Sequence, residues 1–271
     1  MDKSIVLTFR FIGNLSQIKT INYINELYRT LFSRSFESLN YSILDKTSSN
    51  WKQKTKTLKF NQLNINKYEE ILSSKSDNVY IDFELTKELK NSSFKSRDIE
   101  FSVSYKLFER INSLNFIFNY KLYESLELNL FSKNIVDFIQ DNNCELYYGF
   151  ILNVSNSKNP SLYIEGIGNY EISQKEQNKL DIWLKGTKDC DKKIWDIFWG
   201  NIISLKIIKE EKKKFIAEIT EIVGDENCYL LSQNLFWINL EEDLKDFEIL
   251  KYDKIRDKLY NYFKIRDLIL S

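Results

Sequence analysis

Ser4-Ile5-Val6-Leu7-Thr8-Phe9-Arg10-Phe11-Ile12-Gly13 decides the fold class. Ile5, Leu7, Phe9 and Phe11 fall on one side of the stretch, with Val6, Thr8 and Arg10 on the other, the period-two spacing of a strand. Just downstream, Ser16 is placed to cap a helix over residues 17–33. Its Ile21, Ile24, Leu27, Tyr28, Leu31 and Phe32 recur at spacings of three and four and form one apolar stripe. A strand followed by an amphipathic helix predicts a helix lying on a sheet.

The same two periods continue along the chain. Strands are predicted at Val79–Leu85 and from Ile99 through Phe101, Val103, Tyr105 and Leu107. The latter is answered in antiparallel fashion by Leu114, Phe116, Phe118, Tyr120 and Leu122. Further strands are expected at Leu146–Val154 and Leu235–Leu240. Helices are expected at Tyr68–Leu72, from Ser132 with Ile135, Val136 and Ile139 inward, and after the capping box Ser173-Gln174-Lys175-Glu176. A closing helix is expected behind Asp253, with Ile255, Leu259, Tyr262 and Phe263 on one side. Residues 45–57 read as a loop or exposed hairpin, and Lys212–Val223 as helical or extended. This pattern predicts an α+β fold, an antiparallel sheet covered on one face by helices, either one sheet or two related or packed α+β layers. The polar run at 86–97 is the best linker, dividing an N-terminal region, 1–95, from a C-terminal region, 98–271.

Composition narrows the chemistry. The chain has 271 residues and no histidine, which excludes Ser-His-Asp triads, Cys-His nucleophiles, histidine metal ligands and imidazole acid–base catalysis. Cys144, Cys190 and Cys228 are odd in number and widely separated, unlike a disulfide framework or a zinc site. They are expected to be free thiols in a reducing, cytoplasmic setting. No signal-peptide pattern opens the sequence, and no apolar run approaches the roughly 20 residues of a membrane span. The seven glycines make no phosphate-cradling motif, and Gly166-Ile167-Gly168 reads as a strand irregularity. No catalytic residue, cofactor or metal is therefore expected.

Charge is balanced overall, 39 basic against 39 acidic residues, which argues against a nucleic-acid partner. Locally it is not. Residues 1–60 hold ten basic and four acidic residues, including the run Trp51 to Lys59, which fits either a lysine-protected edge strand or a nucleic-acid groove. Asp82 with Glu84, and Asp191-Lys192-Lys193, are the only fragments of a carboxylate–metal nuclease site, and both also suit solvated strand and loop charges. Residues 221–250 hold eight acids and one lysine. There, an aromatic strand, Leu235-Phe236-Trp237-Ile238-Asn239-Leu240, runs into Glu241-Glu242-Asp243-Leu244-Lys245-Asp246-Phe247-Glu248. Large anchors beside charge are what a protein interface uses, so Trp237, Glu241, Glu242, Asp243, Asp246 and Glu248 are the candidate partner-binding residues.

Trp195-Asp196-Ile197-Phe198-Trp199-Gly200-Asn201-Ile202-Ile203-Ser204 follows a helix ending Trp183-Leu184-Lys185-Gly186 and precedes the strand at Leu235 and the closing helix. In this order the elements resemble the immunity proteins of bacterial polymorphic and type VI toxin systems, mainly over residues 98–271. The Tyr147-Tyr148-Gly149-Phe150 strand fits as well. The resemblance implies a non-enzymatic protein that binds and neutralises a cognate toxin, here expected to be basic. It implies structural roles for Trp195, Trp199 and Asn201 and assigns no toxin contacts. Two alternatives stand beside it: a nucleic-acid-binding or carboxylate–metal nuclease module, and a structural subunit of a phage or defence assembly.

Overall fold

In the computed structural model, residues 3–45, 52–75, 79–88, 99–107, 111–119, 128–155, 178, 191–240 and 254–270 are described. The first strand, β1 (Lys3–Ile12), ends at Gly13, whose φ of 119° and close approach to Cys144 exclude a side chain. Helix α1 (Gln17–Phe32) follows, with the Lys19 amide donating to the Ser16 hydroxyl at its start. The hairpin β2 (Ser38–Asp45) and β3 (Lys52–Lys59) resolves the 45–57 region in favour of a hairpin. Helix α2 (Gln62–Ser73) begins earlier than its apolar residues suggest, because Asn61 accepts the Asn64 amide at 2.9 Å and caps it. The chain continues through β4 (Val79–Glu88), β5 (Ile99–Leu107), β6 (Asn112–Asn119), α3 (Leu128–Asp141), β7 (Glu145–Ser155), β8 (Gly200–Ser204), α4 (Lys212–Val223), β9 (Cys228–Ser232), β10 (Leu235–Asn239) and α5 (Lys254–Ile265). Lys212–Val223 is thus helical. Of the capping box at Ser173 and its helix only Asn178, which is helical and exposed, is described, and Asp253 lies outside the described residues.

The ten strands among the described residues form one antiparallel sheet in the order β3-β2-β4-β5-β6-β1-β7-β8-β10-β9. The α+β class is as the sequence predicts. β1 lies inside the sheet between β6 and β7, with Leu7 opposite Phe116 of β6 and Ile151 of β7, so it pairs with segments more than 100 residues away. β4 pairs with β5 directly across the proposed linker, so the sheet runs unbroken through the division at 95/98.

The helices do not share one face. Register places Phe9, Phe116, Phe118, Phe83 and Tyr41 on a first face, and α1, α2 and α3 cover it. Phe131 of α3 meets Phe116 and Phe118 edge-on at 5.1 and 5.3 Å, and Tyr68 of α2 meets Tyr41 at 5.2 Å. Such aromatic pairs add about 0.5–1.5 kcal/mol each beyond burial. Phe150, Tyr148, Ile203 and Phe236 point to the opposite face, which α4, α5 and the segment 194–199 cover. There Phe198 stacks on Phe150 at 4.3 Å, and Phe215 of α4 packs against Phe236 and Phe263. The expected single covered face is therefore two half-faces of opposite side. β1 is buried on both sides, which explains why Thr8 and Arg10 are as inaccessible as Phe9.

Candidate protein-docking surface

Asn201 closes the turn that opens β8. Its side chain accepts the Phe198 amide at 3.0 Å and donates to the Phe198 carbonyl at 2.8 Å. Asp196 accepts the Ile197 amide and the Arg256 guanidinium of α5, while the Tyr148 hydroxyl donates to the Asp196 carbonyl. Trp195 and Trp199 are both buried, with the Arg10 guanidinium 4.6 Å from the Trp195 ring centre. The motif thus holds β8 against the closing helix. Its tryptophans face inward, not toward a partner.

Among the described residues, the two edges of the sheet differ in kind. At one end β3 exposes Lys54, Lys56 and Lys59, charges that discourage a further strand from adding. At the other end β9, Cys-Tyr-Leu-Leu-Ser, carries no charge and exposes Leu230 at 53% and Tyr229 at 38%. Before β9, Asp225 and Glu226 lie exposed in a single 3-10 turn, after Gly224 at φ 93°.

Trp237, expected as an aromatic anchor, is fully buried on β10. It stacks on Tyr229 at 6.0 Å and donates to Asn239 at 2.7 Å. The period of the strand predicts its burial as well as its exposure, and only the neighbours decide. Glu241, Glu242, Asp243, Asp246 and Glu248 lie outside the described residues. The strand leading to them ends at Asn239, and the amide of the next residue, Leu240, donates to the Trp199 carbonyl. Because Ile238 pairs with Cys228, that end of β10 is also the end where Asp225 and Glu226 sit. Sequence reasoning did not pick out Tyr229 and Leu230, since a five-residue edge strand gives too short a pattern to separate from a loop.

Fragments of other chemistry are dispersed. Asp82 and Glu84 lie on a polar part of the second face, opposite Ser42 and Asn40, with Asn40 donating to Glu84 at 3.4 Å. Lys193 pairs with Asp267 and holds that carboxyl below its usual range. Among the described residues no group of three or more His, Cys, Asp or Glu side chains is placed to hold a metal. Cys144 and Cys228 are free and buried, and burial raises both thiols above their ordinary value, which keeps them protonated and unreactive. An open pocket of 270 Å³ beside Asn14, Ser16, Glu69 and Lys75 is bordered by Gln17, whose amide is held by the Ile81 carbonyl and the Tyr68 hydroxyl. Cys190, Gly166 and Gly168 lie outside the described residues.

No protein-family model matches the chain, and no curated protein matches it. Among solved structures, the Pseudomonas aeruginosa T6SS protein PA0821 is similar at a TM-score of 0.45 and 9% identity, over 90% of this chain and 68% of that one. At that score and identity the likeness carries no argument about function. Among the described residues no helix is long and apolar enough to cross a membrane.

Proposed function

We propose that the chain is a non-enzymatic binding protein that captures and neutralises a basic toxin through an acidic end of its sheet. The observation that carries this reading is the gathering of acids where β10 ends. Exposed Asp225 and Glu226 stand at the Ile238 end of the β9–β10 pair, and Glu241 follows Leu240 directly in the chain. Asp225 and Glu226 therefore lie at the end of the sheet from which the chain runs on into the acidic stretch 241–248. Complementary charge at such a corner speeds encounter and adds less to affinity once docked. The immunity-protein resemblance supplies the class of partner. With Trp237 inside the sheet, charge and the side chains around it make the contact.

The test is the association rate with the toxic product of the neighbouring gene, measured at low salt. Replacing Glu241, Glu242 and Asp243 by Lys should slow capture at least tenfold and flatten its salt dependence, while Lys52, Lys54 and Lys56 to Glu should do neither. Equal rates for wild type and the acidic-corner triple variant would overturn the reading.

A further inference from the structure

Helix α4 carries its charges against its own dipole. Lys212, Lys213 and Lys214 are exposed in its first turn, which contains no acid, and Glu211 at the N-cap makes no side-chain capping bond. Its last turn has no base and leads past exposed Glu221 to Asp225 and Glu226. A helix favours anions at its start and cations at its end, so beyond the i,i+4 pair of Lys214 with Glu218 at 3.9 Å this order works against the helix itself.

The same charges flank an edge strand. Lys212 donates to Asn234 in the turn just after β9, and Asp225 and Glu226 lie just before it, so α4 runs back alongside the full length of β9. Thr220 meets Cys228 at 3.2 Å and fixes that alignment. β9 thus has a basic end at Asn234, an acidic end at Glu226 and an uncharged exposed middle at Leu230. Its one irregularity, a register shift against Leu235 and Phe236, lies toward the Ser232 end.

We propose that β9 pairs antiparallel with β9 of a second copy about a two-fold axis near Leu230, joining two sheets into one. A two-fold interface is self-complementary: each residue meets its symmetry partner's counterpart. With Leu230 opposite its twin, Tyr229 falls opposite Leu231 and Glu226 opposite Asn234, beside the second copy's lysines. Every acidic end then faces a basic one, twice, and the exposed Leu230 side chains cover each other. The backbone groups of the β9 edge, unpaired among the described residues, gain partners. The arrangement explains a charge order that opposes the dipole of the isolated helix, and an edge without the lysines that guard β3.

Sedimentation velocity on the purified full chain, without toxin, tests it. Wild type should sediment at twice the 32.5 kDa chain mass at micromolar concentration and low salt, and dissociate as salt rises. Asp225→Lys with Glu226→Lys should weaken the dimer at least tenfold, as should Lys212→Glu with Lys213→Glu, and the four substitutions together should restore it. Restoration requires a folded chain, so it separates lost pairing from lost structure. Leu230→Cys should form an intermolecular disulfide under mild oxidation that wild type does not form. A wild type monomeric at all concentrations, or a dimer indifferent to both charge reversals and uncrosslinked by Leu230→Cys, overturns the proposal. A monomer that still captures toxin would overturn only the dimer, and a dimer that captures none only the toxin reading.

Discussion

The Arg256 guanidinium lies 3.2 Å from the Asp196 carboxylate, with their side chains 13% and 3% exposed, and ties the closing helix to the segment that enters β8. The same arginine donates through Nε to the Ile197 carbonyl at 2.9 Å. One side chain therefore holds both a charge and a backbone group of a segment 60 residues earlier in the chain. Breaking a buried pair leaves the other charge without compensation, at a cost of about 3–5 kcal/mol. Arg256→Ala should lower stability by roughly 3 kcal/mol. Urea unfolding of the variant against wild type checks this, and a midpoint unchanged from wild type would contradict it.

Asn201 offers a sharper substitution. Asn201→Asp keeps the acceptor for the Phe198 amide but cannot donate to the Phe198 carbonyl, and places a charge at a site with no exposure. Unmade buried hydrogen bonds cost about 1–3 kcal/mol each, more for a charged group. Asn201→Asp should be at least as destabilising as Asn201→Ala above neutral pH, with part of the difference recovered on acidification. Thermal melts at two pH values distinguish the outcomes.

Alkaline stability should fall in a defined window. Burial pushes the Tyr28 hydroxyl up to about 12, with Arg34 opposing and Glu37 adding to the shift. In the unfolded chain the phenol ionises near its ordinary value of about 10. Between those values the unfolded state has lost a proton that the folded state retains, so stability is full below the lower value and declines as pH rises through the upper. Tyr28→Phe should flatten that decline. Unfolding curves across the window, with tyrosinate absorbance as the titration readout, provide the measurement.

The lysines of β3 should matter for solubility and not for folding. Lys54 and Lys56 are exposed on an edge strand opposite Ile43 and Tyr41. Lys54→Val with Lys56→Val would turn that edge into an unguarded template for pairing. The double variant should keep the wild-type melting temperature within a few degrees while aggregating at concentrations where wild type stays dispersed. Light scattering during storage reads the effect, and a soluble double variant would show that something else protects the edge.

Local spacing determined the elements. Ile5 to Phe11 could only be a strand and Ile21 to Phe32 only a helix stripe, because periods of two and 3.6 put different residues on one face. The absent histidine excluded imidazole chemistry in any fold, and the acids after Leu240 stood out as composition alone. The strands β2 and β9 were not legible. Five to eight residues with mixed polarity carry no period of their own and become strands because β4 and β10 offer them a ladder.

Tertiary structure decided the rest. Position within a sheet is set by pairings across more than 100 residues, so no local pattern announces that β1 lies inside the sheet and is buried on both sides, with Arg10 as inaccessible as Phe9. Neither could alternation tell which face each helix covers. α1 and α4 have similar stripes yet lie on opposite sides of the sheet, because the side each helix takes depends on the crossover that follows it. Trp237 shows the limit most plainly: its sequence context fits an exposed anchor and a core residue equally, and the strands β8 and β9 on either side of it place it inside.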